Sequence, residues 1–200
     1  MHTLKIGILK DMFKQLPRYA VLDKLDIGEW EFTKGVFKGD DGYDMDENFK
    51  TVIKTGDHHY TDYDCAHFFK ASVTVPECMD GKPLFAKLAV GGEALVKCNG
   101  EFVAGCTSRD YMPDRMNVTL GTAKAGEVLN FEIEATVDSM EFCDGRVIRG
   151  ERYQDCLFGE TTIFTVDTEV EGYMFDIEVA FECLELIEDE HIYAKLCDIR

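Results

Sequence analysis

Basic residues are scarce in this chain. Its 21 Lys and Arg stand against 39 Asp and Glu, a formal charge of −18 over 200 residues. Nucleic acid and anionic membrane surfaces both require a positive footprint, so this balance argues against either as a partner. It favours a soluble, self-repelling surface. Long apolar runs are missing too, and none approaches the ~20 residues that a membrane-spanning helix needs. The opening MHTLKIGILKDMFKQL lacks a continuous apolar stretch and a small-residue cleavage site, which speaks against a secretory signal. No Cys-x-x-Cys pair occurs among the cysteines at 65, 78, 98, 106, 143, 156, 183 and 197. Several lie inside strand or helix patterns, as apolar fillers would. Reduced thiols in a cytoplasmic protein are therefore expected, where the acceptor pattern Asn117-Val118-Thr119 would carry no glycan.

Catalytic signatures are also absent. The chain has no Walker A loop, no Gly-x-Gly-x-x-Gly after a strand, no Gly-x-Ser-x-Gly elbow and no His-Glu-x-x-His. Two acidic stretches invite a metal reading. Asp44, Asp46 and Asn48 are spaced like the start of a calcium loop, but Phe49 stands where that loop needs Gly and Thr55 where it needs a bidentate Glu. Residues 57–64 offer Asp57, His58, His59, Asp62 and Asp64, yet adjacent histidines on an extended chain point apart. Both stretches read as solvated loops. No metal ligand and no catalytic residue is assigned.

What the chain does have is core material, 46% hydrophobic residues, in patterns that change period along the sequence. Leu4, Ile8, Met12 and Leu16 recur at helical spacing, with Thr3 to cap and Pro17 to stop the helix. Alternating runs follow at 29–37, 49–54, 68–75, 84–90, 115–120 and 128–137. Asn99-Gly100 marks a two-residue hairpin, because both central positions of a type I′ turn need φ > 0. Near the end, Val166, Val170, Tyr173, Ile177, Phe181 and Leu184 step by three and four behind Asp167, a good N-cap. Residues 138–160 show no clean period and read as a long connection with one strand at most. Many short strands between turns predict a mainly β fold, an antiparallel β-sandwich. It divides into an N-terminal helix over 1–17, a sandwich over 18–163 and a C-terminal helix over 164–200. Val73, Val75, Leu88, Val96 and Phe131 are expected between two sheets, with Lys97 and Glu101 at the surface. Strand aromatics are mostly core. Those that could instead stack on a sugar ring are Trp30, Phe68, Phe69 and Phe102, of which Trp30, Phe68 and Phe102 are the candidate carbohydrate-binding residues.

The stretch 65–105 resembles a known family. Phe68-Phe69-Lys70, Val75-Pro76, Gly92 to Val96 and Asn99 to Gly105 are similar to the N-terminal β-domain of the zinc-dependent α-mannosidases of glycoside hydrolase family 38, of the cytosolic or vacuolar and bacterial kind. That family usually has Trp where Phe68 stands. Residues 123–135 and 164–187 share the likeness. The resemblance implies a jelly-roll sandwich, like a galactose-binding domain, that packs on a catalytic barrel and on other subunits of a homo-oligomer. It implies zinc in that barrel. The family's Gly-His-x-His-x-Asp-x-x-Trp signature occurs nowhere here, so none of its zinc or catalytic residues is carried over. The chain is thus expected to be a non-catalytic accessory domain of an α-mannosidase in carbohydrate catabolism. An independent carbohydrate-binding module is the alternative, and a small standalone enzyme has no constellation to support it.

Overall fold

The computed structural model describes residues 16–61, 65–107, 117–136, 140–143, 146–149 and 154–186, with Asp11, Phe13 and Lys195. Among the described residues the strands are, in order, β1 (Val21–Asp26), β2 (Trp30–Phe37), β3 (Tyr43–Ile53), β4 (His58–Thr61), β5 (Cys65–Thr74), β6 (Pro83–Leu88), β7 (Glu93–Cys98), β8 (Glu101–Thr107), β9 (Asn117–Thr122), β10 (Val128–Thr136), β11 (Met140–Cys143), β12 (Arg146–Arg149), β13 (Gln154–Leu157) and β14 (Thr161–Val166). A short helix α1 (Pro17–Ala20) precedes them and a long one, α2 (Thr168–Leu186), follows. Two main sheets run β3-β2-β5-β10-β7-β8 and β1-β14-β6-β9, with two-stranded pairs β11-β12 and β13-β4 beside them. This is the mainly β sandwich that the alternating runs predict.

β10 organises the larger sheet. Leu129, Phe131, Ile133 and Ala135 alternate with Asn130, Glu132 and Glu134, the period-2 pattern of a strand buried on one face. Antiparallel pairing with β5 and β7 sets Ile133 opposite both Phe69 and Val96. All three are buried, as are Val73, Val75, Leu88 and Phe131, the residues expected between the sheets. Each such side chain contributes about 1.5–3 kcal/mol when fully buried.

The β7–β8 turn is the hairpin that Asn-Gly announces. Asn99 has φ 51° and Gly100 φ 86°, and Cys98 pairs with Glu101 across a two-residue loop. Asn99 does more than turn. Its backbone N–H donates to the Asn130 carbonyl at 2.8 Å, and its Oδ1 accepts from the Asn130 backbone N–H at 2.9 Å. Ser72 Oγ donates to Asn130 Oδ1 at 2.7 Å, so the turn is tied across β10 to β5.

Three expectations change. The acidic stretch from 43 onward is strand, not loop: β3 forms an edge of the larger sheet, with Asp44, Asp46 and Glu47 exposed along it. Charges suit an edge because they discourage further strand pairing. Within 138–160 lie three strands, β11, β12 and β13, each of four residues and too short to show a period. His58–Thr61 is β4, paired to β13, and His59 is only 2% exposed; Asp62 and Asp64 lie outside the described residues. His59 and His67 face each other, 4.8 Å between ring centroids. A carbonyl only accepts, so His59 Nε2–H donates to Val90 O at 2.8 Å. In its neutral form His59 then offers Nδ1 to the Nδ1–H of His67, also at 2.8 Å.

The chain divides into two compact units, Lys24–Phe164 and the pair of segments Met1–Asp23 and Thr165–Arg200. In the second, Asp167 caps α2 as expected, its Oδ1 accepting from the backbone N–H of Glu169 and Val170 at 2.9 and 3.2 Å. Pro17 stands in the first turn of α1, where its missing N–H costs nothing; the helix it is expected to end lies largely outside the described residues. Leu4, Ile8 and Met12 lie outside the described residues, but Phe13 meets Phe181 edge-to-face at 5.7 Å. Tyr173 is exposed, and Met174 joins Val170, Ile177 and Phe181 on the half-buried face instead.

Two substitutions test the register and the turn. Val96→Asp places an unpaired charge in the core, a cost of several kcal/mol, comparable with the whole stability of a domain; cooperative thermal unfolding by circular dichroism should disappear. A Cβ at Gly100 would meet no neighbour within 4 Å, so Gly100→Val acts through backbone strain at its positive φ of 86°. A loss of about 1 kcal/mol or more is expected in denaturant titration.

Candidate functional site

The outer face of the larger sheet carries the residues that alternation leaves over. Register builds it in rows. Glu31 stands opposite Lys70, Lys70 opposite Glu132, Glu132 opposite Lys97 and Lys97 opposite Phe102. The result is a ladder of alternating charge across four strands that ends on an aromatic ring. In the next row Thr33, Phe68, Glu134 and Leu95 stand side by side. Cross-strand neighbours of opposite sign support the pairing of their strands by roughly 0.2–1 kcal/mol each.

Between these rows lies a shallow groove of about 120 Å³, lined by Phe68, Lys70, Leu95, Lys97, Phe102, Glu132 and Glu134. Enclosed small-molecule sites are several times larger, so this one receives the side of a ligand rather than engulfing it. Phe102 is 63% exposed and Leu95 is exposed beside it. The Lys97 ammonium lies 4.4 Å from the Phe102 ring centroid, a cation–π contact that holds the lysine over one ring face. Lys70 Nζ sits 3.2 Å from Glu132.

At the far end, Tyr43 from β3 reaches over the sheet and donates its hydroxyl proton to Glu134 Oε1. It also packs edge-to-face on Phe68, 5.0 Å between centroids. Gly35 makes this close approach feasible. A Cβ there would stand 2.7 Å from Met45 Sδ, 3.1 Å from Phe68 and 3.3 Å from Tyr43. The hydrogen bond to Glu134, then burial, then the nearby carboxylate charge push the Tyr43 phenol up to about 12.

Phe68 and Phe102, two of the sugar-stacking candidates, thus line one groove. Trp30 does not join them. It is fully buried, its Nε1–H donating to Thr161 Oγ1 at 2.9 Å and its ring 6.1 Å from Phe131 and 6.2 Å from Phe158. Phe69 is likewise core. The reason is parity: Trp30 and Phe32 occupy the inward positions of β2, and Phe69 those of β5. Tyr43, Leu95, Glu132 and Glu134 escape a reading by motif. Their signal is the polar half of the strand alternation, which becomes a site only once register is known.

Elsewhere the chemistry is structural. Glu160 accepts hydrogen bonds from Lys24 and from Lys87, the latter at 2.8 Å, and these hold its carboxyl below the usual range. Burial raises the Cys106 thiol to about 11 and, with the charge of Glu127, also raises Cys98. Among the described residues Cys78, Cys98, Cys106 and Cys183 are free thiols, no three His, Cys, Asp or Glu gather to hold a metal, and no helix is long and apolar enough to cross a membrane.

The sandwich is a fold that occurs within glycoside hydrolases. A β-glucuronidase of Faecalibacterium prausnitzii superposes with a TM-score of 0.50 at 14% identity, covering 74% of this chain and 32% of that one. A β-glucuronidase from Ruminococcus gnavus in complex with uronic deoxynojirimycin gives 0.45 at 13% identity, covering 74% and 29%. The chain thus spans about a third of the length of these structural neighbours. No protein-family model matches the sequence, and no curated protein does. The likeness to the Faecalibacterium prausnitzii β-glucuronidase overturns the family 38 α-mannosidase resemblance. The zinc expectation rested on that resemblance alone.

Titration tests the Tyr43–Glu134 pair. The protonated phenol is the favoured form, so the pair's contribution to stability is complete below pH 10 and lost as pH rises through about 12. Tyrosinate absorbance should show a component ionising near 12 that Tyr43→Phe removes and Glu134→Gln moves back toward 10. A Tyr43 that ionises with the bulk tyrosines would contradict the pairing.

Proposed function

We propose that this chain acts as a non-catalytic sandwich domain of a carbohydrate-cleaving enzyme. One observation carries the reading: the same fold forms about a third of a solved β-glucuronidase, matched over 74% of this chain. In that setting the domain would pack on a catalytic domain, with chemistry supplied elsewhere. The described residues favour this role. Glu132 and Glu134 share a sheet face, but the face is open to water, whereas glycosidic cleavage places its two carboxylates on either side of a bond inside a cleft. Each also has a structural partner, Lys70 and Tyr43 respectively.

The chain should show no turnover of aryl β-glucuronide or of neutral aryl hexosides above the buffer rate. Turnover abolished by a single change such as Glu134→Gln would make the domain itself the enzyme and overturn this reading.

A further inference from the structure

We propose that the outer groove of the six-stranded sheet binds a neutral glycan chain, stacked on Phe102 and Phe68 and hydrogen-bonded by Glu132, Glu134, Lys70 and Lys97. The proposal rests on the carbohydrate-enzyme reading for its biological setting, but its chemistry comes from the face itself. In a chain of formal charge −18, this groove holds two Lys and two Glu and has no net charge. Every step along the ladder places a cation beside an anion. A cationic or anionic ligand therefore gains nothing from one pair member that the other does not oppose. A hydroxyl group both donates and accepts, so it finds a partner at each step. Lys donates only, and a carboxylate accepts several bonds, which leaves Glu132 and Glu134 with capacity beyond Lys70 and Tyr43.

Ring geometry supports the same ligand. Phe102 is exposed for most of its surface, an apolar platform for the C–H face of a sugar. Phe68 lies three strands away, a separation of about 14 Å at the usual strand spacing. Rings that far apart suit residues about three apart along an oligosaccharide, not a single monosaccharide. All of these side chains stand on strands whose register fixes them, so little ordering is lost when a ligand binds. The shallow, open shape points to weak binding, with a dissociation constant of about 0.1–10 mM.

The test is an NMR titration of the labelled chain with cellopentaose, mannopentaose and xylopentaose as neutral probes and pentagalacturonate as the anionic one. At least one neutral pentasaccharide should shift resonances of β5, β7, β8 and β10 saturably, and the anionic probe should not. Phe102→Ala, at an exposed position, should keep the fold by circular dichroism and weaken binding at least about tenfold. Glu132→Gln provides a second variant, expected to weaken binding without moving the melting curve by more than a surface pair does. Three outcomes would overturn the proposal: no neutral probe bound at about 10 mM, binding unchanged by both variants, or stronger binding of the uronate. A concentration-dependent dimer abolished by Phe102→Ala would assign the face to a second copy and overturn it equally. Hydrolysis of a probe would sink only the non-catalytic reading, because binding and its loss in Phe102→Ala are measured separately from turnover.

Discussion

The pairing of β10 between β5 and β7 is the constraint on which both faces of the larger sheet depend. Side chains alternate strictly, so a slip of one residue would carry Phe131 and Ile133 into water and Glu132 and Glu134 into the core. Burial of Ile133 against Phe69 and Val96 opposes that slip from one side. The Lys70–Glu132 pair opposes it from the other, more weakly. The asymmetry matters: apolar burial sets the register, and the charge ladder is its consequence. The groove therefore inherits the rigidity of the core without needing a loop of its own.

Charge is distributed unevenly over the molecule. Acidic residues dominate overall, yet one row of the sheet's outer face alternates sign across β2, β5, β10 and β7. Excess acid goes to the β3 edge, where Asp44, Asp46 and Glu47 are exposed, and to α2, where Glu169, Glu171, Glu178 and Glu182 are exposed. Like charges opposite one another on paired strands would weaken the sheet. A strongly acidic chain can keep a six-stranded sheet only by reserving its lysines for the outer positions, and Lys50, Lys70 and Lys97 are spent there. Lys50 sits 2.8 Å from Glu31 on the same face.

Much of this fold was legible because its largest strands are long enough to show a period. β10 alternates cleanly and β5 does so from Phe68 onward, and the five core residues expected from them and their neighbours are all buried. The hairpin was legible because Asn-Gly has few other uses. β4 and β11 to β13 were not, since four residues cannot display a repeat and β4 buries a histidine, a polar letter in an apolar place. The site was half legible. Phe68 and Phe102 stand out as aromatics, but parity decides that Trp30, the more obvious platform, faces inward. Lys70, Glu132 and Lys97 are ordinary surface letters until three strands are aligned.

The family likeness failed for a physical reason that the structure makes plain. Its most distinctive strings do structural jobs that many sandwiches require. Val75-Pro76 closes a strand: Val75 donates to the Glu127 carbonyl and accepts from Gly126 N–H, both at 2.9 Å, and Pro76 then ends the ladder for want of an N–H. Asn99-Gly100 supplies two left-handed positions at a hairpin. Any chain that solves the same two problems converges on the same letters. Such strings therefore report a β-sandwich with a type I′ turn, while the identity of a binding site resides in the outward positions between them, where Phe68, Lys97, Phe102 and Glu134 are free of those backbone demands.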